Sequence, residues 1–474
     1  MIVDVTGGSL AAKLFNGLVK LDDHLNVVPD IAYAWEMQDS GTTYIFRLSE
    51  GVFFYNNREV ISSDFKYSFK RVLDTKTASP NTWILEKIRG AKEFMNGEAE
   101  DISGIEIIDD YTLAIELDHP FAPFLNLLTM TAASVVPREK VELRGTAFGT
   151  HPAGTGPFIL KEWNHHDRII LEKNESYFGS GPEVDGIVYR IIPEDLTAVT
   201  EFELGNLDVI TIPSYEYARY RDSKKWKNQI SSIRGLNTYY LGFNCSKRPF
   251  NNRRIRRAVA YAIDRTKILE TFYENRGRPA RGPIPDILRN WEPPDELTYD
   301  PERAMRIIKE EDMTGRTVNF YISADQEVID MAEIIQFYLI RIGLNVKIIQ
   351  LEWSAFKEAL NKGEADIFWL SWWADYADPE NFLYPLFHSS NHGASGNRTR
   401  YKNKKVDQLI EEGQRAVMPS ERNRSYMMAE KIITQEAPWV SFWHKTDFTI
   451  RQPYIKNYKI FPVYSMDKGV DISF

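Results

Sequence analysis

The second half of the chain alternates predicted strands and helices in a regular order, and this alternation restricts the possible fold most strongly. Strands are predicted over 238–244, 318–322, 344–351 and 366–373, and helices over 253–273, 300–311, 326–342 and 354–362. Gly343 and Gly363 each stand between a helix and the next strand, because glycine adopts the left-handed conformation that ends a helix without steric cost. Such a series favours an α/β fold with a parallel sheet covered by helices.

The last strand of this series runs into an aromatic stretch over 365–388, which reads ADIFWLSWWADYADPENFLYPLFH. Large rings surround the carboxylate of Asp375 there, namely Trp372, Trp373 and Tyr376. Ligands of parallel sheets bind beyond the carboxyl ends of the strands. Rings around a carboxylate suit a cationic or stacking organic ligand. The alternative interpretation is an aromatic core with a turn aspartate, and these residues alone favour it. The position of Asp375 after a strand of the series brings the two interpretations level.

Composition restricts the partners that such a chain can have. The 474 residues carry a net charge of −9, with a pI near 5.6. Nucleic acids and anionic membranes select clustered Lys and Arg, so we expect neither as the main partner. The single cysteine, Cys245, excludes an intrachain disulfide and a thiolate metal cluster. No segment approaches the ~20 apolar residues of a membrane span. No signal peptide opens the chain, so we expect a start that is mature or truncated.

The sequence lacks the common signatures of catalysis. It contains no P-loop and no GxGxxG, GxSxG or HExxH motif. His165 and His166 precede Asp167, but neighbouring side chains of a strand point to opposite faces, so we expect no metal there. No nucleophile, base and orienting group come together in the sequence. We therefore expect a protein that is not an enzyme, with no catalytic residues, no cofactor and no bound metal.

The first half of the chain mixes strands and helices without a fixed repeat. Residues 43–48 alternate as a half-buried strand does, and Ser63 is a suitable N-cap for a helix over 64–73. Residues 29–35 read as a turn and a short helix. A length of 474 residues suits two or more domains.

Short segments in a fixed order run through nearly the whole chain. They are LFNGL at 14–18, YIFRL at 44–48 with GV at 51–52, SDF at 63–65 with Arg71, TGPF at 155–158, YLGFN at 240–244 with PFN at 249–251, RA at 257–258 with AIDR at 262–265, ADY at 374–376 with DP at 378–379 and FL at 382–383, and Tyr401 with VDQLI at 406–410. In this order they resemble the oligopeptide- and dipeptide-binding solute-binding proteins of bacterial ABC importers, which are family 5 of the extracellular solute-binding proteins.

This resemblance implies a two-lobed α/β fold of the type II periplasmic-binding-protein class, with an extra subdomain in lobe one. The implied division is lobe one over 1–40, the extra subdomain over 41–150, lobe one again over 151–238, lobe two over 239–442, and a return to lobe one over 443–474. The chain crossings near 240–244 and 442–445 would form a hinge on which the lobes close around a ligand.

The resemblance also implies roles for the aromatic stretch. The aspartate that matches Asp375 pairs with the α-ammonium group of a bound peptide, and the backbone over 370–373 pairs with the peptide main chain like an added strand. Further ligand contacts are expected from Trp369, Trp372, Trp373, Tyr376, Tyr240 and Asn244. In the enteric oligopeptide-binding pattern, an arginine that helps to hold the ligand carboxylate stands six positions before the aspartate. This chain has Trp369 there, so the group that holds a peptide carboxyl terminus stays open.

The implied setting is a monomer in the periplasm, or lipid-anchored on the outer face of the cytoplasmic membrane, that delivers oligopeptides to the permease of an ABC transporter. Several alternatives stay open. Trp369, Trp372 and Trp373 could stack on the rings of an oligosaccharide, and other members of the superfamily take other small solutes. The acidic residues could belong to a hydrolase. The same fold could also serve a chaperone-like or sensory role.

Overall fold

The computed structural model describes residues 5–474, and by its packing the chain divides into two compact units. Unit 1 comprises the residues before Arg234 together with Asp447–Phe474, and unit 2 comprises Arg234–Thr446. The chain therefore passes from one unit to the other twice. The lobe boundaries expected at 238/239 and 442/443, and the subdomain over 41–150, remain predictions. No helix among residues 5–474 combines the length and the apolar composition that a membrane span requires.

Unit 1 consists of short helices and small antiparallel sheets. Its helices are α1 (Val5–Leu14), α2 (Ser62–Leu73), α3 (Ala91–Met95), α4 (Phe124–Leu127), α5 (Arg138–Arg144), α6 (Asp195–Glu203) and α7 (Tyr217–Asp222). Its strands are β1 (Val19–Leu21), β2 (Val27–Pro29), β3 (Ala32–Gln38), β4 (Thr43–Leu48), β5 (Ile105–Asp109), β6 (Thr112–Glu116), β7 (Phe158–Asn164), β8 (Arg168–Lys173), β9 (Gly186–Arg190), β10 (Val209–Thr211) and β11 (Ile230–Arg234), whose last residue belongs to unit 2. One sheet has the order β3-β4-β6-β5 and another the order β7-β8-β9.

Residues 32–38 form the strand β3, so the short helix predicted over 29–35 is wrong. The neighbouring strand β4 buries Tyr44, Phe46 and Leu48 on one face, as its alternation predicts. β3 pairs with β4 in antiparallel register, with Trp35 opposite Phe46. This pairing satisfies backbone groups of both strands, and such a tertiary contact outweighs the weak helix propensity of a short segment.

Unit 2 carries longer helices around one mixed sheet. Its helices are α8 (Arg253–Ala262), α9 (Arg265–Thr271), α10 (Pro301–Glu310), α11 (Gln326–Arg341), α12 (Trp353–Lys362), α13 (Glu380–Phe387), α14 (Lys404–Arg415) and α15 (Pro419–Glu436). Its strands are β12 (Asn237–Phe243), β13 (Gly277–Pro279), β14 (Thr317–Ser323), β15 (Asn345–Leu351), β16 (Ile367–Trp373) and β17 (Trp439–Arg451), whose last residues belong to unit 1.

The sheet of unit 2 has the order β17-β12-β16-β14-β15. β14 is parallel to β15 and to β16, as the alternation of helices and strands predicts. β12 is antiparallel to both of its neighbours, so the prediction of a parallel sheet is wrong for this strand. The connection from β12 to β14 is long enough to return the chain in either direction, and mixed sheets are common. The core under the sheet includes fully buried Phe243, Phe320 and Leu339.

The single helix predicted over 253–273 is two helices, α8 and α9. Ile263, between them, has an extended backbone with φ −107° and ψ 118°. Asp264 then caps α9, because its carboxylate accepts the backbone N–H of Lys267 at 2.9 Å. Aspartate is a favoured N-cap residue, and this local bond replaces one turn of continuous helix. The spacing of apolar residues predicts one helix because it gives no sign of such a break.

Candidate functional site

The sheet of unit 2 opens between β14 and β16 towards their carboxyl ends. β16 pairs with β12 along all 7 of its residues. β14 pairs with β16 only at Ile367 and Phe368. In the part of the chain that the structure describes, no other strand pairs with this edge of β16 beyond Phe368. The backbone groups over 369–373 on that edge are therefore open to an added strand.

A cavity of about 570 Å³ lies at this opening, within the range of ~300–1,000 Å³ that small-molecule sites occupy. Three aromatic residues line it, Tyr239, Trp353 and Trp369, and Trp353 is 49% exposed. The rest of the wall comes from Ser323, Ala324, Asp325, Val328, Glu352, Leu370 and Ser371. The cavity thus combines aromatic faces with two carboxylates and touches the open edge of β16.

Both carboxylates of the cavity lie between the end of a strand and the start of the next helix. Asp325 caps α11 and accepts the backbone N–H of Val328 at 3.3 Å. Glu352 caps α12 and accepts the N–H groups of Ser354 at 2.7 Å and Ala355 at 3.4 Å. Neither residue stands out in the sequence, because a helix N-cap explains each of them locally. The available signal was their shared position after the carboxyl ends of two adjacent parallel strands.

Asp375 follows β16 and is held by Asn381, which is buried near the start of α13. The backbone N–H of Asp375 donates to Asn381 Oδ1 at 3.0 Å, and Asn381 Nδ2 lies 3.5 Å from Asp375 Oδ2. Trp372 Nε1 donates to the same Asn381 Oδ1 at 3.3 Å. One amide side chain therefore fixes both the backbone at Asp375 and the ring of Trp372.

The Asp375 carboxylate is half-buried and, among residues 5–474, has no cationic partner. Burial raises its pKa above the usual value of 3.8, and the hydrogen bond from Asn381 opposes this shift only in part. Within residues 5–474, no Lys, Arg or His side chain forms an ion pair with Asp375. A buried carboxylate is costly without a counter-ion. The site is therefore short of one positive charge.

The turn over 375–381 rests on a buried polar network. The Tyr376 hydroxyl donates to the Glu380 carboxylate, and Gln414 Nε2 donates to the other oxygen of Glu380 at 2.6 Å. Asp378 forms an ion pair with the Arg422 guanidinium. Burial, with a smaller contribution from the Asp378 charge, raises the pKa of Glu380 to about 7. These contacts hold the turn in place, and Asp375 is the least buried of its three carboxylates.

The predicted tryptophans have different environments. Trp369 is buried against Phe442, with ring centroids 4.8 Å apart, and lines the cavity with part of its surface. Trp372 is half-buried beside Asn381, and Trp373 is 40% exposed. Successive side chains of a strand point to opposite faces, so the three rings do not form one surface. Tyr376 is buried, with its hydroxyl used by Glu380.

Tyr240 and Asn244 lie inside unit 2 and away from Asp375. The Tyr240 ring is buried against Trp439, with centroids 3.7 Å apart. Asn244 is buried and donates to the carbonyl oxygens of Gly363 at 2.8 Å and Ala365 at 3.3 Å. It follows the end of β12 that pairs with the start of β16, so most of a seven-residue strand, about 20 Å, separates it from Asp375. The fold uses both side chains for packing, and their contact with a ligand stays a prediction.

The arrangement is suited to binding and orienting a ligand. Along and just beyond β16 lie an aromatic cavity, an open strand edge and a carboxylate that forms no ion pair among residues 5–474. In the range 5–474 no group of three His, Cys, Asp or Glu side chains is placed to hold a metal ion. A peptide-like molecule with a cationic end matches these three features in its ammonium group, its main chain and its side chains.

The chain is similar to known binding proteins over nearly its whole length. The chain is 29% identical to heme-binding protein A of Haemophilus influenzae, over 100% of this chain and 89% of that one. It is 28% identical to the dipeptide-binding protein of Escherichia coli, over 96% and 88%. The structure of the periplasmic binding protein DppA from Helicobacter pylori in complex with the peptide STSA superposes with a TM-score of 0.82, at 26% identity, over 99% and 94%.

The family model described as bacterial extracellular solute-binding proteins, family 5, matches residues 26–394. The α/β fold of the type II periplasmic-binding-protein class, which the resemblance of the sequence segments implies, is confirmed by the superposition on the H. pylori structure and on further solved structures of this class. The predicted family resemblance is confirmed with it. The chain belongs to the family 5 extracellular solute-binding proteins of bacteria.

Proposed function

We propose that this chain is the solute-binding component of an ABC importer and captures oligopeptides outside the cytoplasm, with Asp375 pairing with the α-ammonium group of the ligand. The observation that carries the proposal is the half-buried Asp375 carboxylate, which has no cationic partner among residues 5–474. A protonated amine that enters the site supplies the missing charge. Charge-assisted hydrogen bonds to a carboxylate are about twice as strong as neutral ones, so this contact also fixes the direction of the ligand.

The open edge of β16 supports a peptide rather than a simple amine. An extended peptide can add to this edge as a strand, through backbone hydrogen bonds that do not depend on its sequence. Relatives named for peptides fit this proposal, namely the dipeptide-binding protein of E. coli and the H. pylori protein in complex with STSA. A main-chain contact would give broad acceptance, while the neighbouring cavity would set side-chain preference.

The cavity supports a preference for aromatic or basic ligand side chains. Aromatic faces attract both other rings and cations. The carboxylates of Asp325 and Glu352 add negative charge to the same wall. An acidic ligand side chain would meet repulsion there. We therefore expect peptides with Lys, Arg, Tyr or Phe to bind better than matched peptides with Asp or Glu.

A double-mutant cycle tests the role of Asp375. Calorimetry would compare a free-amine peptide with its N-acetylated form, on the unmodified protein and on Asp375→Asn. Acetylation and Asp375→Asn should each cost ~2–5 kcal/mol, or roughly 30- to 4,000-fold in Kd. The two losses should not add, because both remove the same charge pair. Glu358→Gln, which neutralises an exposed carboxylate on α12, is the matched control and should bind like the parent protein.

Two results would overturn the proposal. One is equal affinity for the free and the acetylated peptide on the unmodified protein. The other is stabilisation in a thermal-shift screen by oligosaccharides or hemin but by no peptide, since any ligand at many times its Kd raises the unfolding temperature. Saccharides are included because the exposed Trp353 and Trp373 rings offer stacking faces. Hemin is included because one relative is named for heme.

The proposal includes closure of two lobes on the ligand, about chain crossings near 240–244 and 442–445, and delivery to a membrane permease. Peptide-dependent contraction in small-angle X-ray scattering would support closure, and an unchanged radius of gyration at saturating peptide would contradict it. The proposal also holds that the ligand leaves unchanged. Mass spectrometry of peptide after long incubation should return the intact molecule, and cleavage would favour the hydrolase alternative.

A further inference from the structure

Unit 1 contains a cavity of its own, of about 720 Å³. Its walls come from α1, from α2, from residues 145–149 and from the strands β7 and β8. This volume falls within the range of ~300–1,000 Å³ for sites that enclose a small organic molecule. All of its lining residues belong to unit 1, so it is a different site from the one at Asp375.

Most of the wall is apolar. Leu14, Ile169 and Leu171 belong to a buried core cluster of unit 1 and also face the cavity. Phe15 and Phe148 add two rings with centroids 6.4 Å apart. Such a wall holds the hydrocarbon part of a ligand by removing apolar surface from water.

The only charged residues that line the cavity are basic, namely Arg71 and Lys76, within the part of the chain that the structure describes. The Arg71 guanidinium lies over the Phe148 ring, 5.9 Å from its centroid. No carboxylate among residues 5–474 forms an ion pair with Arg71. Lys76 is exposed and its backbone N–H donates to Asp74 Oδ1 at 2.9 Å, so half-buried Arg71 is the better enclosed of the two cations.

We propose that this cavity binds an organic anion with a long apolar body, of the fatty-acid class. Arg71 and Lys76 bind the anionic head group, since guanidinium and ammonium groups are the side chains that form charge-assisted bonds to a carboxylate. The apolar body lies against the rings of Phe15 and Phe148 and the aliphatic wall. This binding is independent of the peptide function proposed for Asp375.

Titration with dodecanoate tests the proposal, with dodecyltrimethylammonium as the probe of equal chain length and opposite charge. Dodecanoate should bind in a one-to-one ratio and the cation should bind at least roughly tenfold more weakly, because only the anion meets the guanidinium. Arg71→Gln should lower the affinity for dodecanoate roughly tenfold, whereas Arg71→Lys should retain most of that affinity. Equal affinity for the two probes, or no effect of Arg71→Gln, would overturn the proposal.

Two further measurements separate the cavity from other surfaces. Gly149→Phe should abolish dodecanoate binding by filling the space, since a Cβ added at Gly149 meets no atom within 4 Å, and circular dichroism checks that the variant is folded. Asp375→Asn should bind dodecanoate as the parent protein does. The anomalous signal of 12-bromododecanoate in a crystal should lie beside the Phe148 ring. A bromine site elsewhere, or full binding by a folded Gly149→Phe variant, would contradict the proposal.

Discussion

Asn381 Oδ1 accepts the backbone N–H of Asp375 at 3.0 Å, and this bond sets the position of the carboxylate that we propose for ligand capture. Asn381→Ala should leave that N–H and Trp372 Nε1 without their partner, at a cost of ~1–3 kcal/mol in unfolding free energy. Peptide affinity should fall as well, because Asp375 loses its fixed position. Calorimetry and urea unfolding measure the two effects.

Asn381→Asp is the matched variant for that prediction. It keeps the acceptor oxygen and adds a negative charge beside Asp375, and a like charge raises the pKa of a neighbouring carboxyl group. Its affinity loss should therefore be small at high pH and grow as the pH falls. Equal behaviour of the alanine and aspartate variants at every pH would show that Asn381 does not position Asp375 through this bond.

Peptide affinity should depend on pH through Asp375. Burial places the pKa of its free carboxyl group above 3.8, while a bound ammonium group favours the ionised form and lowers the pKa in the complex. Binding therefore releases a proton whenever Asp375 is protonated in the free protein. Affinity should be full above the free-state pKa and fall by up to about tenfold per pH unit below it.

Calorimetry over a pH series, in buffers of different ionisation enthalpy, measures both the affinity and the released proton. The control is Asp375→Asn, which keeps every other titrating group, including Glu380. Subtracting its profile isolates the contribution of Asp375. Parallel profiles for the variant and the parent protein would contradict the prediction.

Glu380 should make the folded protein less stable as the pH rises through neutrality. Its pKa is raised from 4.5 to about 7 in the folded state, mainly by burial. The folded state therefore holds this proton more tightly than the unfolded state. The stabilisation is complete below pH 4.5 and is lost as the pH rises through about 7.

Glu380→Gln should remove this dependence, because the amide does not titrate. Its oxygen can accept from Gln414 Nε2, and its NH2 can donate to the Tyr376 hydroxyl oxygen, which reverses that bond. The difference in unfolding free energy between the parent protein and the variant should change by roughly 2–3 kcal/mol between pH 5 and pH 8, in favour of the variant at the higher pH. Chemical unfolding at several pH values checks this. A constant difference across the series would contradict it.

Trp353 should set part of the side-chain preference of the site. Trp353→Ala removes a half-exposed ring from the cavity wall. It should weaken the binding of peptides with aromatic or basic side chains by about 1 kcal/mol. The affinity for peptides of glycine and alanine should change little. Trp163→Ala, which removes a ring of similar exposure in unit 1, is the control for general effects of losing tryptophan. A uniform loss for all peptides would indicate a change in stability instead.

Local rules in the sequence predict much of unit 2 correctly. Gly343 and Gly363 adopt positive φ values of 97° and 77°, and each ends a helix where the sequence places it. Strand β16 covers 367–373, against a prediction of 366–373, and Asp375 lies beyond its carboxyl end. These features depend on residues close together in the chain, so their pattern is visible without a structure.

The cavity at β16 was not predictable in the same way. Tyr239, Trp353 and Asp325 come from three separate segments, and only the order of strands in the sheet brings them together. Tyr240 is a second example, because the sequence does not show which face of the strand its side chain occupies. Its neighbour Tyr239 lines the cavity, whereas Tyr240 packs in the core, because alternate residues of a strand face opposite ways.

The sequence by itself determined the family, the class of fold and the position of Asp375 after a strand, since ordered motifs, helix ends and apolar runs are local properties of the chain. Only the tertiary structure decided that β14 separates from β16, that Asn381 holds Asp375, and that Asp375 has no counter-ion among the described residues. Pairing, burial and charge balance depend on residues far apart in the chain, and folding is what places them side by side.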